Sequence, residues 1–275
     1  MRKIKVIVHG ARGRMGQTVV GAVQAEQDME LVCGIDTSPG SLNVPTGNGV
    51  IPVYANATEA IDNHQPDVVV DFSLAHALLP LAREVLSHKV RLVSGTTGID
   101  SQALDEIKTL AKKYKTGVIY AANFAIASVM MMHLSRIASP YFDHAEIIEL
   151  HHEKKADAPS GTALSTAKGM IDSRGKPFIA PDTAPGAPSR GLNQNGISIH
   201  SVRLPGILAR QEIIFGAPGQ TLTISSDTVS RDCYMPGVIM AIRRAMTIEE
   251  MVTGLDILLG LQEAACNTRE IKNTG

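Results

Sequence analysis

The sequence predicts an α/β protein, a doubly wound parallel sheet followed by a second, α+β domain whose sheet is open and mixed or antiparallel. Three observations predict it. Over roughly the first 120 residues, short β-branched runs alternate with helix-length stretches. A glycine-spaced turn, Gly10-Ala-Arg-Gly-Arg-Met-Gly16, joins the first run to the first helix. Beyond Asn123 the pattern changes to strands joined by short Pro-Gly turns. A length of 275 residues suits two such units.

The strand candidates of the first unit are Ile4 to Val8, Glu30 to Ile35, Val68 to Phe72, Arg91 to Ser94 and Gly117 to Ala121, each short and rich in Val or Ile. Met15 to Ala25, His76 to Ser87 and Gln102 to Tyr114 have helical spacing and supply the connections. In the second unit the Met-rich segment Ser128 to Ala138 precedes a strand, Ala145 to Leu150, and a charged loop. Ile197 to Arg203, Ala209 to Phe215 and Gln220 to Ser226 read as a β-meander turned by Leu204-Pro-Gly and Ala217-Pro-Gly-Gln. Gly175 to Gly196 lacks periodicity, so a long loop is expected, of the kind that carries function or packs on a neighbouring subunit. Tyr234 to Leu261 returns to helical spacing, with a capping-box pattern at Thr247-Ile-Glu-Glu. Periodicity leaves open which unit this tail covers.

Lys plus Arg is 26 and Asp plus Glu is 27, a net charge of −1, which lacks the basic excess that nucleic-acid or polybasic membrane binding needs. Aromatic residues are 4% with no Trp, so a base-stacking platform has little to draw on. No apolar run approaches the ~18 residues of a membrane span and no signal peptide is evident, so a soluble, cytoplasmic protein is expected. Cys33, Cys233 and Cys266 are widely spaced and odd in number, which suits a reducing compartment and gives no disulfide framework or zinc site.

Gly10, Ala11, Arg12, Gly13, Arg14 and Met15 lie where a dinucleotide pyrophosphate would meet free backbone N–H groups at the positive end of a helix dipole. The spacing is G-x-x-G-x-x-G, with Arg12 where the commoner fingerprint has Gly, so the turn is informative through its context between strand and helix. Asp36 ends the second strand, twenty positions after Gly16, where a carboxylate accepts hydrogen bonds from an adenosine ribose. That acid favours NADH, whereas Arg12 and Arg14 can tolerate the 2′-phosphate of NADPH, so NADH, NADPH or both remain open. Arg14 reads equally well as a solvated first-turn residue. Gly95-Thr-Thr-Gly98 follows the fourth strand at the carboxyl edge of the sheet and can face a nicotinamide or be an ordinary turn.

The densest chemistry lies in Glu149-Leu-His-His-Glu-Lys-Lys-Ala-Asp-Ala-Pro-Ser-Gly-Thr-Ala163. His151 titrates nearest neutrality and can pass a proton to a centre gaining negative charge; Lys155 is a second donor or a carboxylate partner. Ser160, Gly161 and Thr162 open a helix whose free amides can hold a substrate carboxylate, which implies an anionic substrate. A solvated charge run is the alternative. A metal site is disfavoured, because adjacent His151 and His152 point to opposite sides of an extended strand.

These residues resemble the dihydrodipicolinate reductase family, also called 4-hydroxy-tetrahydrodipicolinate reductase, of the diaminopimelate route to lysine. The loop His151-His-Glu-Lys-Lys-Ala-Asp-Ala-Pro-Ser-Gly-Thr resembles the family signature His-His-x-x-Lys-x-Asp-Ala-Pro-Ser-Gly-Thr. Gly10-Ala-Arg-Gly-Arg-Met-Gly, Asp71-Phe-Ser, Gly95-Thr-Thr-Gly and Ala121-Ala-Asn-Phe124 resemble its other blocks in order, so the resemblance covers essentially the whole chain. It implies that His151 is the acid/base residue, Lys155 the proton donor, and His152, Gly161 and Thr162 the substrate-binding residues. It further implies that Gly10 to Met15, Asp36, Gly95, Thr96, Thr97, Ala121, Ala122, Asn123 and Phe124 line a nicotinamide cofactor.

The resemblance also implies a Rossmann domain over 1–123, a substrate-binding and oligomerisation domain over 124–232, and a C-terminal segment, 233–275, that returns to the Rossmann domain. Hinges are expected near Asn123 and Arg231 to Gly237, a homotetramer through the open sheet, and a small cyclic dicarboxylate as substrate. Two positions depart from the family: Thr37, where many members carry a base, and Ser226, where several carry His. The rival functions are another nicotinamide-dependent imine or amino-acid dehydrogenase, and a dinucleotide sensor without turnover.

Overall fold

In a computed structural model, which describes residues 2–43, 49–181 and 188–261, the first strand β1 (Ile4–His9) is buried on both faces. Its alternation splits two cores: Val6 and Val8 join one apolar cluster and Ile7 the other. Next come α1 (Arg14–Ala25), β2 (Met29–Ile35), β3 (Gly40–Asn43), β4 (Val50–Tyr54), α2 (Ala57–His64), β5 (Val68–Asp71), α3 (Ala75–Ser87), β6 (Arg91–Ser94), α4 (Ser101–Tyr114) and β7 (Val118–Tyr120). β5, buried at every residue, has the continuous apolar run of a strand covered on both faces.

The second part contains α5 (Ile126–Ala138), β8 (His144–His151), α6 (Gly161–Arg174), β9 (Leu192–Gln194), β10 (Ile197–Arg203), β11 (Ala209–Ala217) and β12 (Gln220–Thr228). The chain then returns through α7 (Met235–Ala245), β13 (Met251–Thr253) and α8 (Leu255–Leu258). The first sheet runs β13-β7-β6-β5-β1-β2-β4-β3, parallel at every pairing except that of β3 with β4. Val19, Val20 and Val23 of α1 pack with Val238, Ala241 and Ile242 of α7 on one face, while Leu78 and Val85 of α3 and Ile107 of α4 cover the other. The doubly wound sheet and the second, mixed sheet agree with the predicted fold class.

Three details differ from the sequence reading. β3, β4 and α2 were not foreseen: β3 is an edge strand without apolar alternation, and Pro52 interrupts β4. The expected meander is not one, because the second sheet runs β12-β11-β8-β10-β9, with β8 seated between β10 and β11. Buried Ala145, Ile147 and Glu149 make β8 the central strand, parallel to β10 and antiparallel to β11. The tail is not continuously helical, and Thr247 caps nothing. Its hydroxyl donates to the Arg244 carbonyl at 2.9 Å, and residues 248–250 lead into β13, which pairs with β7.

Ile147, Ile197, Ile199, Ile213 and Phe215 pack against Met131 of α5 and Ala163, Ala167 and Met170 of α6, forming the core of the second part. The segment expected as a loop carries a short 3-10 helix, Pro188–Arg190, and β9; its residues 182–187, like Cys266 and the rest of 262–275, lie outside the described residues. Cys33 and Cys233 are free thiols, and burial pushes the Cys33 thiol up to about 12. Among the described residues no helix is long and apolar enough to cross a membrane.

Candidate active site

The carboxyl ends of β1, β5 and β6 are tied together by Asp71, which is wholly buried. Its carboxylate meets His9 Nδ1 at 2.7 Å and accepts from the hydroxyls of Ser73 (2.6 Å), Ser94 (2.8 Å) and Thr96 (2.7 Å). Burial opposes its charge, but His9, Ser73 and Thr96 outweigh that and hold it below the ordinary carboxylate range. Thr96 therefore turns its hydroxyl into the fold, while Thr97 and Gly95 face outward into a cleft.

Gly10 adopts φ +75°, and a Cβ there would lie 2.8 Å from the Phe72 carbonyl oxygen, so the turn needs glycine. Gly13 N-caps α1 in extended geometry, with no side-chain cap and no acid in the first turn. Free amides at the positive end of the dipole suit an anionic pyrophosphate, and in this respect the turn fits a dinucleotide. Asp36 Oδ2 accepts from the Arg12 amide at 2.9 Å, while the Arg12 guanidinium donates to the carbonyls of Ser38 and Ser41. Arg14 is exposed. Ala11 and Ala121 are buried beneath this surface rather than on it.

A cleft of about 400 Å³ separates the two sheets. From the first part it is lined by Met15, Phe72, Gly95, Thr97 and Ala122-Asn123-Phe124, and from the second by His151, His152, Lys155 and Thr162. Phe72 and Phe124 pack edge-tilted, with ring centroids 5.8 Å apart. Asn123 also orders the entry to α5: its Oδ1 accepts from the Ala125 amide at 2.8 Å and its Nδ2 donates to Ser128 Oγ at 3.1 Å.

His151 ends β8 and shares a strand face with Glu149, whose Oε2 lies 2.5 Å from His151 Nδ1. Glu149 is wholly buried and also takes Arg203 Nη1 and Nη2 at 3.0 and 2.8 Å and the Ser160 amide at 3.2 Å. β10 places Arg203 directly opposite His151. Burial opposes the Glu149 charge, but Arg203, Ser201 and His151 outweigh it, so the carboxylate stays ionised below its ordinary range. An ionised Glu149 orients the Nδ1 proton of His151 toward itself and leaves Nε2 as the working nitrogen. Burial lowers the His151 imidazole against the raising effect of Glu149, and Lys155 and Arg203 lower it further.

Lys155 donates to both Asp157 oxygens at 2.8 Å, and its ammonium holds Asp157 below the ordinary range. Arg203 binds the carbonyls of Lys155 and Asp157 and so fixes the loop's path. Ser160 caps α6 through the Ala163 amide at 3.2 Å, and beyond Gly161 there is open space where a Cβ would sit. This helix start can receive a carboxylate.

Of the residues selected from sequence, the cleft brings together Met15, Gly95, Thr97, Ala122, Asn123, Phe124, His151, His152, Lys155 and Thr162. Gly10, Ala11, Arg12, Gly13, Arg14, Asp36, Thr96, Ala121 and Gly161 are not among its lining residues. Sequence reasoning missed the roles of Glu149 and Arg203 and the places of Phe72, Arg231 and Tyr234 in the lining. The i, i+2 spacing of Glu149 and His151 was a usable signal for one face; Arg203 has none before the β8–β10 register is known.

A doubly wound parallel sheet with an open glycine turn, facing a carboxylate-held histidine across a cleft, defines a two-domain nicotinamide-dependent oxidoreductase. Comparison with known proteins narrows this. Residues 4–124 match the family model described as dihydrodipicolinate reductase, N-terminus, and residues 111–259 its C-terminus. A 4-hydroxy-tetrahydrodipicolinate reductase of Dehalococcoides mccartyi is 46% identical over 263 residues, covering 95% of this chain and 100% of the relative. One from Listeria innocua is 41% identical over 262 residues, covering 93% and 100%. The dipicolinate-bound dihydrodipicolinate reductase from Paenisporosarcina sp. TG-14 superposes with a TM-score of 0.83 at 39% identity, covering 93% of this chain and 99% of that one. The amine dehydrogenase of Mycobacterium smegmatis, at 16% identity and TM-score 0.65 with 92% and 95% covered, shares the fold alone. The chain belongs to the dihydrodipicolinate reductase family, whose activity is the nicotinamide-dependent reduction of 4-hydroxy-tetrahydrodipicolinate in lysine biosynthesis.

Proposed function

We propose that the chain carries out this reduction in the cleft, with His151 as acid/base residue and Lys155 as proton donor. The observation that carries the reading is the buried Glu149–His151 contact at 2.5 Å, on the wall opposite the glycine turn. A reduced nicotinamide held on the first domain would supply a hydride to C4 of the ring, after or with departure of the 4-hydroxyl and a proton as water, to give tetrahydrodipicolinate. Lys155, an ammonium beside Asp157, and His151 at Nε2 are placed to move the proton that completes the reduction, and such help is commonly worth ~10² to 10⁴ in rate. His152, Gly161 and Thr162 hold a cyclic dicarboxylate; a family member binds dipicolinate, a planar ring with two carboxylates.

Residues 1–123 and the segment from 233 to 261 form the cofactor side, with Gly10, Arg12 to Met15, Asp36, Gly95, Thr97 and Ala122 to Phe124 in contact with the dinucleotide and the buried Ala11, Thr96 and Ala121 supporting that surface from beneath. Residues 124–232 form the substrate side. NADH is the preferred cofactor, supported by Asp36, with NADPH tolerated through Arg12 and Arg14. A homotetramer forms through the face of the second sheet that lacks a covering helix, where Ile148, Leu150, Val202 and Ile214 are half-buried in the single chain. The unpaired thiols of Cys33 and Cys233 suit the cytoplasm.

The test follows absorbance at 340 nm with NADH or NADPH while a dihydrodipicolinate synthase makes the substrate from pyruvate and aspartate semialdehyde. Oxidation that depends on the synthase is expected, with kcat falling at least tenfold in His151→Gln and Lys155→Ala. Unchanged turnover in both variants would remove the residue assignment.

A further inference from the structure

Behind His151, a second pocket of about 80 Å³ lies among β11, β12 and the start of α5. Asn123, His151, Thr162, Ala209 and Tyr234 line both it and the main cleft, so it opens off the site rather than standing apart. It is about a fifth of the volume of the main cleft, about 80 against about 400 Å³, and has room for a hydroxyl group or a water.

Gln211 lines this pocket and is 5% exposed. Its amide orientation is fixed by a chain of bonds: the Thr166 hydroxyl donates to the Thr162 carbonyl at 2.8 Å, so the Thr166 oxygen accepts from Gln211 Nε2 at 2.9 Å. Gln211 Oε1 is left buried with no hydrogen-bond partner among the described residues. A buried acceptor in this state is satisfied by a donor that enters the pocket, a water or a hydroxyl group of a ligand. Ser226, directly opposite Gln211 in the β11–β12 register and 8% exposed, adds a hydroxyl to the same wall. Arg210 also borders the pocket, but it is neutralised by Asp227 at 2.7 Å and Glu212 at 2.9 Å, so the pocket does not select a carboxylate. It selects a small neutral donor.

We propose that this pocket seats the 4-hydroxyl group of the substrate, with Gln211 Oε1 accepting its hydrogen bond. The proposal rests on the cleft being the dicarboxylate site. It makes Gln211 a specificity residue for the hydroxylated ring, acting next to His151 while the carboxylates stay in the main cleft.

The test is a comparison between two molecules that differ at this group. In Gln211→Leu, kcat/KM for synthase-generated 4-hydroxy-tetrahydrodipicolinate should fall about tenfold, the range of a lost hydrogen bond to a substrate hydroxyl. Inhibition by pyridine-2,6-dicarboxylate, which has both carboxylates and no hydroxyl, should stay within twofold. An equal loss for both molecules, or no loss for either, overturns the proposal. Should thermal denaturation show that Gln211→Leu does not fold, Ser226→Ala decides. A fall of about threefold in kcat/KM at unchanged inhibition supports the subsite, and unchanged values for both overturn it. Failure of the reductase reading itself would appear separately, as no synthase-dependent NADH oxidation by the unaltered protein.

Discussion

Glu149 and His151 stand two residues apart on one face of β8, and their side chains meet at 2.5 Å where the strand ends at the cleft. The carboxylate is wholly buried and the imidazole is not, so the pair spans the boundary between core and site. Arg203, from the neighbouring strand, balances the Glu149 charge and leaves its second oxygen edge committed. The histidine is thus oriented by a carboxylate that is itself oriented.

Glu149→Gln should therefore act on both stability and turnover. It leaves the Arg203 guanidinium facing a neutral amide in a largely buried position, a loss of about 3 kcal/mol or more when one partner of a buried pair is removed. Glu149 also raises the His151 pKa against burial, so its removal lowers that value further. A lower melting temperature and an acid limb of the kcat profile displaced to lower pH are expected, from thermal denaturation and 340 nm assays. An acid limb that does not move would separate Glu149 from the function of His151.

Stability should fall in two stages on acidification. His151 has a depressed folded-state value, so its contribution is fully present above the unfolded value of about 6.5 and is lost as pH falls through the folded one. Glu149 and Asp71 are also depressed, so their contributions persist until pH drops below about 4.3 and 3.9 respectively and fade below that. Melting temperature measured from pH 8 to 3 should decline first below about 6.5 and again below about 4. In His151→Gln the first decline should be shallower, the remainder coming from His64, which burial and Lys5 also hold below its ordinary value.

The parts legible in sequence are those governed by local pattern. β1, β5 and β6 declared themselves by β-branched runs, and α1 by the glycines before it, because burial on both faces and a tight turn each restrict composition over a few residues. β13 was hidden because three residues at a sheet edge carry no period, and it was absorbed into an apparent helix. The place of β8 between β10 and β11 was hidden for another reason: strand order depends on which faces are buried, not on which strands are neighbours in sequence. Arg203 follows from that order. His151 and Lys155 were visible as a constellation, but Asp71 was visible only as part of a motif, since its role comes from His9, Ser94 and Thr96 on other segments.

Gly10→Ala tests the turn. The φ of +75° disfavours any side chain, and the added Cβ would meet the Phe72 carbonyl carbon at 3.2 Å as well as its oxygen at 2.8 Å, both of them backbone atoms with little room to yield. A destabilisation of about 1–3 kcal/mol is expected from the backbone conformation alone. Because Gly13 N donates to the Gly10 carbonyl at 2.9 Å, displacement passes to the N-cap of α1. The KM for NADH should rise more than kcat falls, as steady-state assays would show. A folded variant with unaltered KM would place the pyrophosphate elsewhere.

Cofactor choice turns on where Arg12 points. Its amide binds Asp36 at 2.9 Å, but its guanidinium reaches past the acid to the carbonyls of Ser38 and Ser41 at 2.7 and 3.2 Å. The second Asp36 oxygen is met by the Thr37 hydroxyl at 3.3 Å, a neutral group that leaves the carboxylate charge in place. A ribose hydroxyl can donate to that charge, whereas a 2′-phosphate is repelled by it unless Arg12 leaves its carbonyl partners. The ratio of kcat/KM for NADH over NADPH should accordingly exceed one, and Asp36→Asn should narrow it by about tenfold, equivalent to about 1.4 kcal/mol. Arg12→Ala should widen it by removing the cation that NADPH would recruit. If Asp36→Asn leaves the ratio unchanged, the carboxylate does not face the ribose, and selection between the two cofactors lies with Arg14 and the first turn of α1.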